Sequence, residues 1–253
     1  MVSPRSAYPI ILLALFYQAC AHHPAPRTLS IAAAADLQFV LAAGAGEFHQ
    51  QHPETELAIN YGSSGNFYAQ IRSGAPFDIF LSADVQYPRN LAQEGLTAGP
   101  VFQYAAGKIV VWVPAKSKFD PATALRDTSV RRIAIANPQH APYGRAAEAA
   151  LRSMGLYESV ASKLVLGENI SQTLEFVESG AADAGIVALS LALAPKLRGQ
   201  GRYWEVPVSA YPRIEQGGVI LRDSPAAREF RDWLRSRSGR ALLRQYGFLA
   251  TGE

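Results

Sequence analysis

The stretch YGSSGNFYAQIRSGAPFDIFLSAD, residues 61–84, opens with Gly62, Ser63, Ser64 and Gly65 and then turns helical. Gly and Ser are weak helix formers, so their place ahead of a helix needs a reason. Small residues leave backbone N–H groups uncovered, and a helix start carries unpaired N–H groups with partial positive charge. Together these make an anion seat, although an ordinary N-cap and tight turn would use the same residues. The segment then closes its helix at Gly74 and passes into an apolar run, FDIFLSA, that reads as a buried strand.

Outward from this stretch the same alternation recurs. TLSIAAAA at 28–35 reads as a strand, followed by a helix from Asp36 to about Gln50 whose Leu37, Val40, Leu41 and Phe48 share a face. ELAINYG is a strand, a helix containing Leu91 ends near Gly95, and GKIVVWVPA at 107–115 is a strongly apolar strand. The second half repeats the pattern with RRIAIANP, GRAAEAALRSMGL, KLVLG, ISQTLEFVESGAAD and AGIVALS. GGVILR at 217–222 is a late strand, and two helices broken at Gly239 follow it. Strands alternating with helices predict an α/β protein of open sheets flanked by helices, here two such units and hence two lobes. In such sheets ligands gather at the carboxyl ends of strands. Four strand-to-helix junctions there are built from small or polar residues: Ala34-Ala35-Asp36, Gly62-Ser63-Ser64-Gly65, Ala141-Pro142-Tyr143-Gly144 and Glu168-Asn169-Ile170-Ser171.

Composition narrows the function. The 253 residues are 49% hydrophobic and 18% charged, with a net charge of +3 and scattered Lys and Arg, so no basic patch points to nucleic acid. Arg5 precedes the apolar run YPIILLALFY and then Ala19, Cys20 and Ala21, a secretory signal peptide over 1–21. Cys20 is the only cysteine, and a lipoprotein signal to residue 19 is the competing reading; both place the mature chain outside the cytoplasm, in the periplasm. Catalytic machinery is sparse. Neither Ser63 nor Ser64 sits in G-x-S-x-G, no histidine pair has metal-ligand spacing, and there is no Walker loop or G-x-G-x-x-G. His49 and His52 flank a helix end and read as solvent-facing, and only His140 stands near a junction.

The junctions lie in motifs that resemble the periplasmic molybdate-binding proteins of ABC transporters, across residues 28–248. The motifs are AAAADL (32–37), the quoted stretch (61–84), GKIVVW (107–112), IANPQHAPYGRAAEAAL (135–151), GENISQ (167–172), SGAADAGIVALS (179–190) and RQYGF (244–248). The resemblance implies a two-lobed periplasmic-binding-protein type II fold, with lobe 1 from 28–107 plus 217–253 and lobe 2 from 108–216. It also implies a hinge near Gly107 and Gly217. The ligand is molybdate or tungstate, held by N–H groups and hydroxyls with no cofactor and no direct metal ligand. The partner is the permease, and the protein is a monomer that binds no nucleic acid. Carried over by position, the binding residues are Ala35, Asp36, Ser64, Tyr143 and Ile170, with Ser63 a close second to Ser64. Ala188 stands where some members use a tyrosine, and Tyr143 matches members that place it earlier. Some members have Ser, Thr or Asn at the first junction, where this chain has Ala35 and Asp36. That departure leaves this junction with backbone donors only, and a carboxylate at Asp36 beside an anion seat then needs an account. Asp36 reads as a helix N-cap pointing away from the ligand; if it faced the ligand, it would suit a hydrogen-bearing anion such as phosphate. Sulfate or phosphate binding, a hydrolase with Ser64 as nucleophile and a sensor domain are the alternatives.

Overall fold

The computed structural model describes residues 27–251, so the leader read in 1–21, with Cys20, lies outside the described residues. Its first half alternates β1 (Arg27–Ala34), α1 (Gln38–Gln51), β2 (Thr55–Gly62), α2 (Ser64–Arg72), β3 (Ile79–Ser82), α3 (Gln86–Gln93) and β4 (Phe102–Gly107). The second runs β5 (Ile109–Pro114), β6 (Ile133–Ala136), α4 (Pro142–Ser153), α5 (Tyr157–Val160), β7 (Leu164–Gly167), α6 (Ile170–Glu178), β8 (Ala184–Ala188), α7 (Leu189–Ala192) and β9 (Gly201–Glu205). The chain then returns through β10 (Ile214–Ile220), α8 (Pro225–Arg235) and α9 (Arg237–Gln245).

These elements build two five-stranded sheets, ordered β2-β1-β3-β10-β4 and β7-β6-β8-β5-β9. In each, the βα-connected strands pair in parallel, and the strands nearest the crossings, β10 and β5, pair antiparallel with their neighbours. Strands covered on both faces read as near-continuous apolar runs, as in β3 and β6, where every residue is buried and only Ser82 is polar. One face of the first sheet packs Leu29 and Ile31, with Leu37 from the turn after β1, against Phe48, Phe230 and Trp233; the other packs Ala32 and Phe80 against Phe67, Ile71 and Leu91. The second sheet buries Ile109–Val113, Ile133, Ile135 and Val187 against Leu151, Leu174 and Val177. Each lobe has a core large enough to stand without cross-links.

Three details differ from the sequence reading. β4 and β9 were not expected as strands. β10 begins at Ile214, so the return crossing runs over 206–213 and Gly217 lies inside a paired strand, not at a hinge. The last two helices break at Ser236, whose Oγ accepts the Gly239 N–H, and Gly239 sits inside α9.

Candidate functional site

The carboxyl end of β1 runs into a 3-10 turn, Ala35–Leu37, before α1 starts. Asp36 caps neither helix: no side-chain cap hydrogen bond forms at either start. Its carboxylate is instead buried, where Oδ2 accepts from the Tyr143 hydroxyl at 2.9 Å and from Gln216 Nε2 at 2.5 Å. The N-cap expectation is therefore corrected. Two donors from distant segments outcompete the local N–H groups, and the partners lie 107 and 180 residues away in sequence. Among the described residues, Asp36 Oδ1 and Gln216 Oε1 are buried without a partner. Burial pushes the Asp36 carboxyl up to about 6, opposed by the Gln216 and Tyr143 hydrogen bonds.

At the next junction, β2 ends and α2 begins at Ser64, with Ser63 in extended conformation as its flanking residue. The two serines play different parts. Ser63 Oγ donates to the His140 carbonyl at 2.6 Å and lies 3.0 Å from His140 Nδ1. Ser64 Oγ accepts the Ala83 N–H at 3.0 Å, which leaves its own O–H to donate elsewhere. Gly65 N–H donates to the His140 carbonyl at 2.9 Å. A Cβ at Gly65 would lie 2.5 Å from that oxygen, so glycine is what lets the second lobe approach.

The second lobe supplies two more helix starts. In α4, Pro142 occupies the first turn and has no N–H to satisfy, while Gly144 and Arg145 donate to the Ala141 carbonyl. The Tyr143 N–H stands at this start, ahead of the intrahelical ladder. In α6, Asn169 caps with Oδ1, accepting from Ser171 N–H at 3.0 Å and Gln172 N–H at 3.1 Å. That spends the second and third amides on the cap and leaves the first, on Ile170, to point along the axis. Further bonds clasp the lobes: Ser171 Oγ to the Ala35 carbonyl, Ser190 Oγ to the Asp36 carbonyl at 2.8 Å, Asn66 to Glu168, and Arg145 to Asp84 at 2.6 Å.

All six sequence-predicted positions, Ala35, Asp36, Ser63, Ser64, Tyr143 and Ile170, line one interlobe cavity together with Ala34, Gly62, Ala83, Ala141, Pro142 and Asn169. With the lobes clasped it measures about 10 Å³, room for about one water. No Lys or Arg lines it. Its electrostatics come from helix starts and hydroxyls, plus one carboxylate. Gln216 and Ser190 were missed in the sequence; the only signal for Gln216 is a polar residue in an otherwise buried run. Ala188 is buried at the end of β8 and brings no hydroxyl, but Ser190, two residues on, reaches Asp36. His140 positions Ser63 and does not line the cavity. His52 is half-buried and not solvent-facing: it pairs with Glu229 at 3.3 Å and, with Glu54, sits at the far end of α1.

Comparison with known proteins places this geometry. The sequence matches the bacterial extracellular solute-binding protein family over residues 29–249. It is 42% identical over 200 residues to the molybdate-binding protein ModA of Azotobacter vinelandii, covering 76% of this chain and 79% of that one. It is 38% identical over 193 residues to ModA of Rhodobacter capsulatus, covering 75% of each. The fold superposes on the periplasmic molybdate-binding protein of Azotobacter vinelandii with a TM-score of 0.81 at 33% identity, covering 88% of this chain and 99% of that one.

Proposed function

The chain belongs to the bacterial extracellular solute-binding proteins, in their molybdate-binding branch, and from that premise we propose that it captures molybdate between its lobes and delivers it to an ABC permease. The observation that supports this best is the convergence of helix starts from both lobes on one buried cavity free of Lys and Arg. The donors are the amides of the Ala35–Asp36 turn, the Ser64 amide and hydroxyl, and the amides of Tyr143 and Ile170. The metal stays enclosed by its own oxygens, and no side chain ligates it. Tungstate, of the same shape and charge, binds comparably. The carrier is exported, acts as a monomer and holds no resident cofactor.

Physical chemistry supports such a site. A dianion leaving water gives up much hydration, so each oxygen needs donors. A hydrogen bond to a charged group contributes about 1.5–3 kcal/mol. About six of them, after ordering costs, reach the roughly 8–12 kcal/mol of a micromolar to nanomolar complex. Amides on packed helices move little, so their spacing discriminates ionic radius and disfavours the smaller sulfate. The clasped cavity is too small for a tetrahedral oxyanion, so loading requires the lobes to part.

One observation favours a second reading. Ser63, His140 and Glu168 stand in line, with Nδ1 3.0 Å from Ser63 Oγ and Nε2 3.7 Å from Glu168. A serine beside a base and an acid is how hydrolases activate a nucleophile. Here Ser63 already donates to the His140 carbonyl at 2.6 Å, so its proton is not aimed at the ring, and Ser64 touches no base. We therefore read the protein as a carrier and not an enzyme. Calorimetric titration with molybdate, tungstate, sulfate and phosphate tests it: molybdate and tungstate should bind and the others should not. Ester turnover that disappears in Ser63→Ala would favour the hydrolase instead.

A further inference from the structure

We propose that Asp36 binds the oxyanion as a neutral acid: on binding, Oδ1 takes a proton from solvent and donates it to a ligand oxygen, so that one proton enters with each dianion. This rests on the reading of the cavity as a molybdate site and goes beyond it, since it makes Asp36 a determinant of which anion charge the site accepts and at what pH.

The geometry carries the inference. Asp36 lines the cavity and is 1% exposed. Both its side-chain donors, Tyr143 and Gln216, converge on Oδ2, and Oδ1 is buried without a partner among the described residues. A buried ionised oxygen with no donor is costly, and a dianion brought beside it adds like-charge repulsion. One proton on Oδ1 removes both penalties and turns a repelling acceptor into a sixth or seventh donor. The cluster around it is already short of hydrogens, because Gln216 Oε1 is also unpartnered.

Among the described residues, nothing facing Asp36 supplies a compensating positive charge. From α4 comes the Tyr143 hydroxyl, from β10 the Gln216 amide, and from α7 the Ser190 hydroxyl, which donates to the Asp36 main-chain carbonyl. From β4 comes Tyr104, whose hydroxyl donates to the Ser82 carbonyl. Both tyrosines are pushed well above their ordinary range by burial and then by Asp36, and so stay neutral. The other titratable group near the cavity, His140, faces Ser63 and Glu168. Burial, opposed by the Gln216 and Tyr143 hydrogen bonds, holds Asp36 up at about 6, and a dianion beside it raises it further.

Calorimetry of the mature protein with sodium molybdate, at pH 7.5 in two buffers of different ionisation enthalpy, counts the protons taken up. Wild type should take up about one per molybdate, and its affinity should weaken about tenfold per pH unit from 7 to 8.5. Asp36→Asn carries its own donor, so its uptake should fall to about zero, its pH slope should flatten and it should bind more tightly than wild type at pH 8.5. Molybdate binding by wild type with no proton uptake overturns the inference, whether or not the variant folds. Full uptake retained in Asp36→Asn also overturns it and moves the proton to another group such as His140. No molybdate heat at any pH from 5.5 to 8.5 overturns the ligand assignment itself, and this inference with it.

Discussion

Ser63 and Ser64 are neighbours with different hydrogen bonds, and under the proposed carrier reading those bonds favour Ser64 as the one that meets the ligand. Ser64 keeps its O–H free, because its oxygen is already held by the Ala83 N–H. Ser64→Ala should therefore cost about 1.5–3 kcal/mol of molybdate affinity by calorimetry, while Ser63→Ala, which loses a contact to His140, should cost about 1 kcal/mol or less. Equal losses would place both hydroxyls on the anion. Tyr143 is a different case, since its hydroxyl is committed to Asp36 and its amide is the group left for the ligand. Asp36 itself should be visible in stability. Its carboxyl rises from 3.8 to about 6 on folding, chiefly through burial. A raised acid holds its proton more tightly folded than unfolded, so its contribution is greatest below about pH 4 and is lost as pH climbs through 6. Two units correspond to about 3 kcal/mol. Urea unfolding of the ligand-free protein should show wild type losing about that much relative to Asp36→Asn between pH 4 and pH 7.5. A constant difference across that range would mean that Asp36 titrates normally.

Among the elements, helix starts supply the donors of the proposed site, and what caps each one decides which amide remains. Asn169 caps α6 by accepting from Ser171 and Gln172, and so leaves the Ile170 amide pointing along the axis. Asn169→Ala should lower stability by about 1 kcal/mol and also weaken molybdate binding, because the frayed first turn no longer fixes that amide. A loss of stability with unchanged affinity would remove Ile170 from the site. The α/β alternation and these junctions were legible in the sequence, since each is local: a small or polar turn between an apolar run and a helical period. β4 and β9 were not. FQYAAG has too short and weak an alternation, and GRYWE is an edge strand with mostly exposed side chains. Gln216 and the orientation of Asp36 were hidden for the opposite reason. Their partners lie far away in sequence, and local capping chemistry, which favoured an N-cap at Asp36, had no means of weighing a tyrosine 107 residues downstream. The break between α8 and α9 was misplaced at Gly239 because glycine is the stronger local signal, yet the Ser236 hydroxyl makes the cap.

The molecule as a whole is two cores joined by two crossings, at Gly107–Ile109 and over 206–213, with the site between them. The polar contacts that span the lobes run from Ser63 and Gly65 to His140, from Ser171 and Ser190 to the turn at 35–36, from Tyr143 to Asp36, from Asn66 to Glu168 and from Arg145 to Asp84. The Arg145–Asp84 pair is half-exposed and contributes about 1 kcal/mol or less. Under the proposed carrier reading, ligand binding tips the balance toward this closed form, as in hinge closure around a solute. Two glycines are what the closed form demands. At Gly107 a Cβ would lie 2.1 Å from the Tyr143 hydroxyl oxygen, and at Gly65 it would lie 2.5 Å from the His140 carbonyl and 2.9 Å from its Cα. The second clash is with backbone, which cannot swing aside as a side chain can. Gly65 lies in the first turn of α2, where alanine is by itself the better helix former by up to about 1 kcal/mol. Gly65→Ala should therefore keep or raise thermal stability without ligand, yet lose at least about tenfold in molybdate affinity because the lobes cannot meet. Solution scattering should show wild type contracting on addition of molybdate, while Gly65→Ala keeps its larger radius of gyration at molybdate concentrations that saturate wild type. If the variant contracts and binds as wild type does, the approach of His140 to α2 is not part of closure, and the clasp must be carried by the contacts at Asp36 and Tyr143 instead.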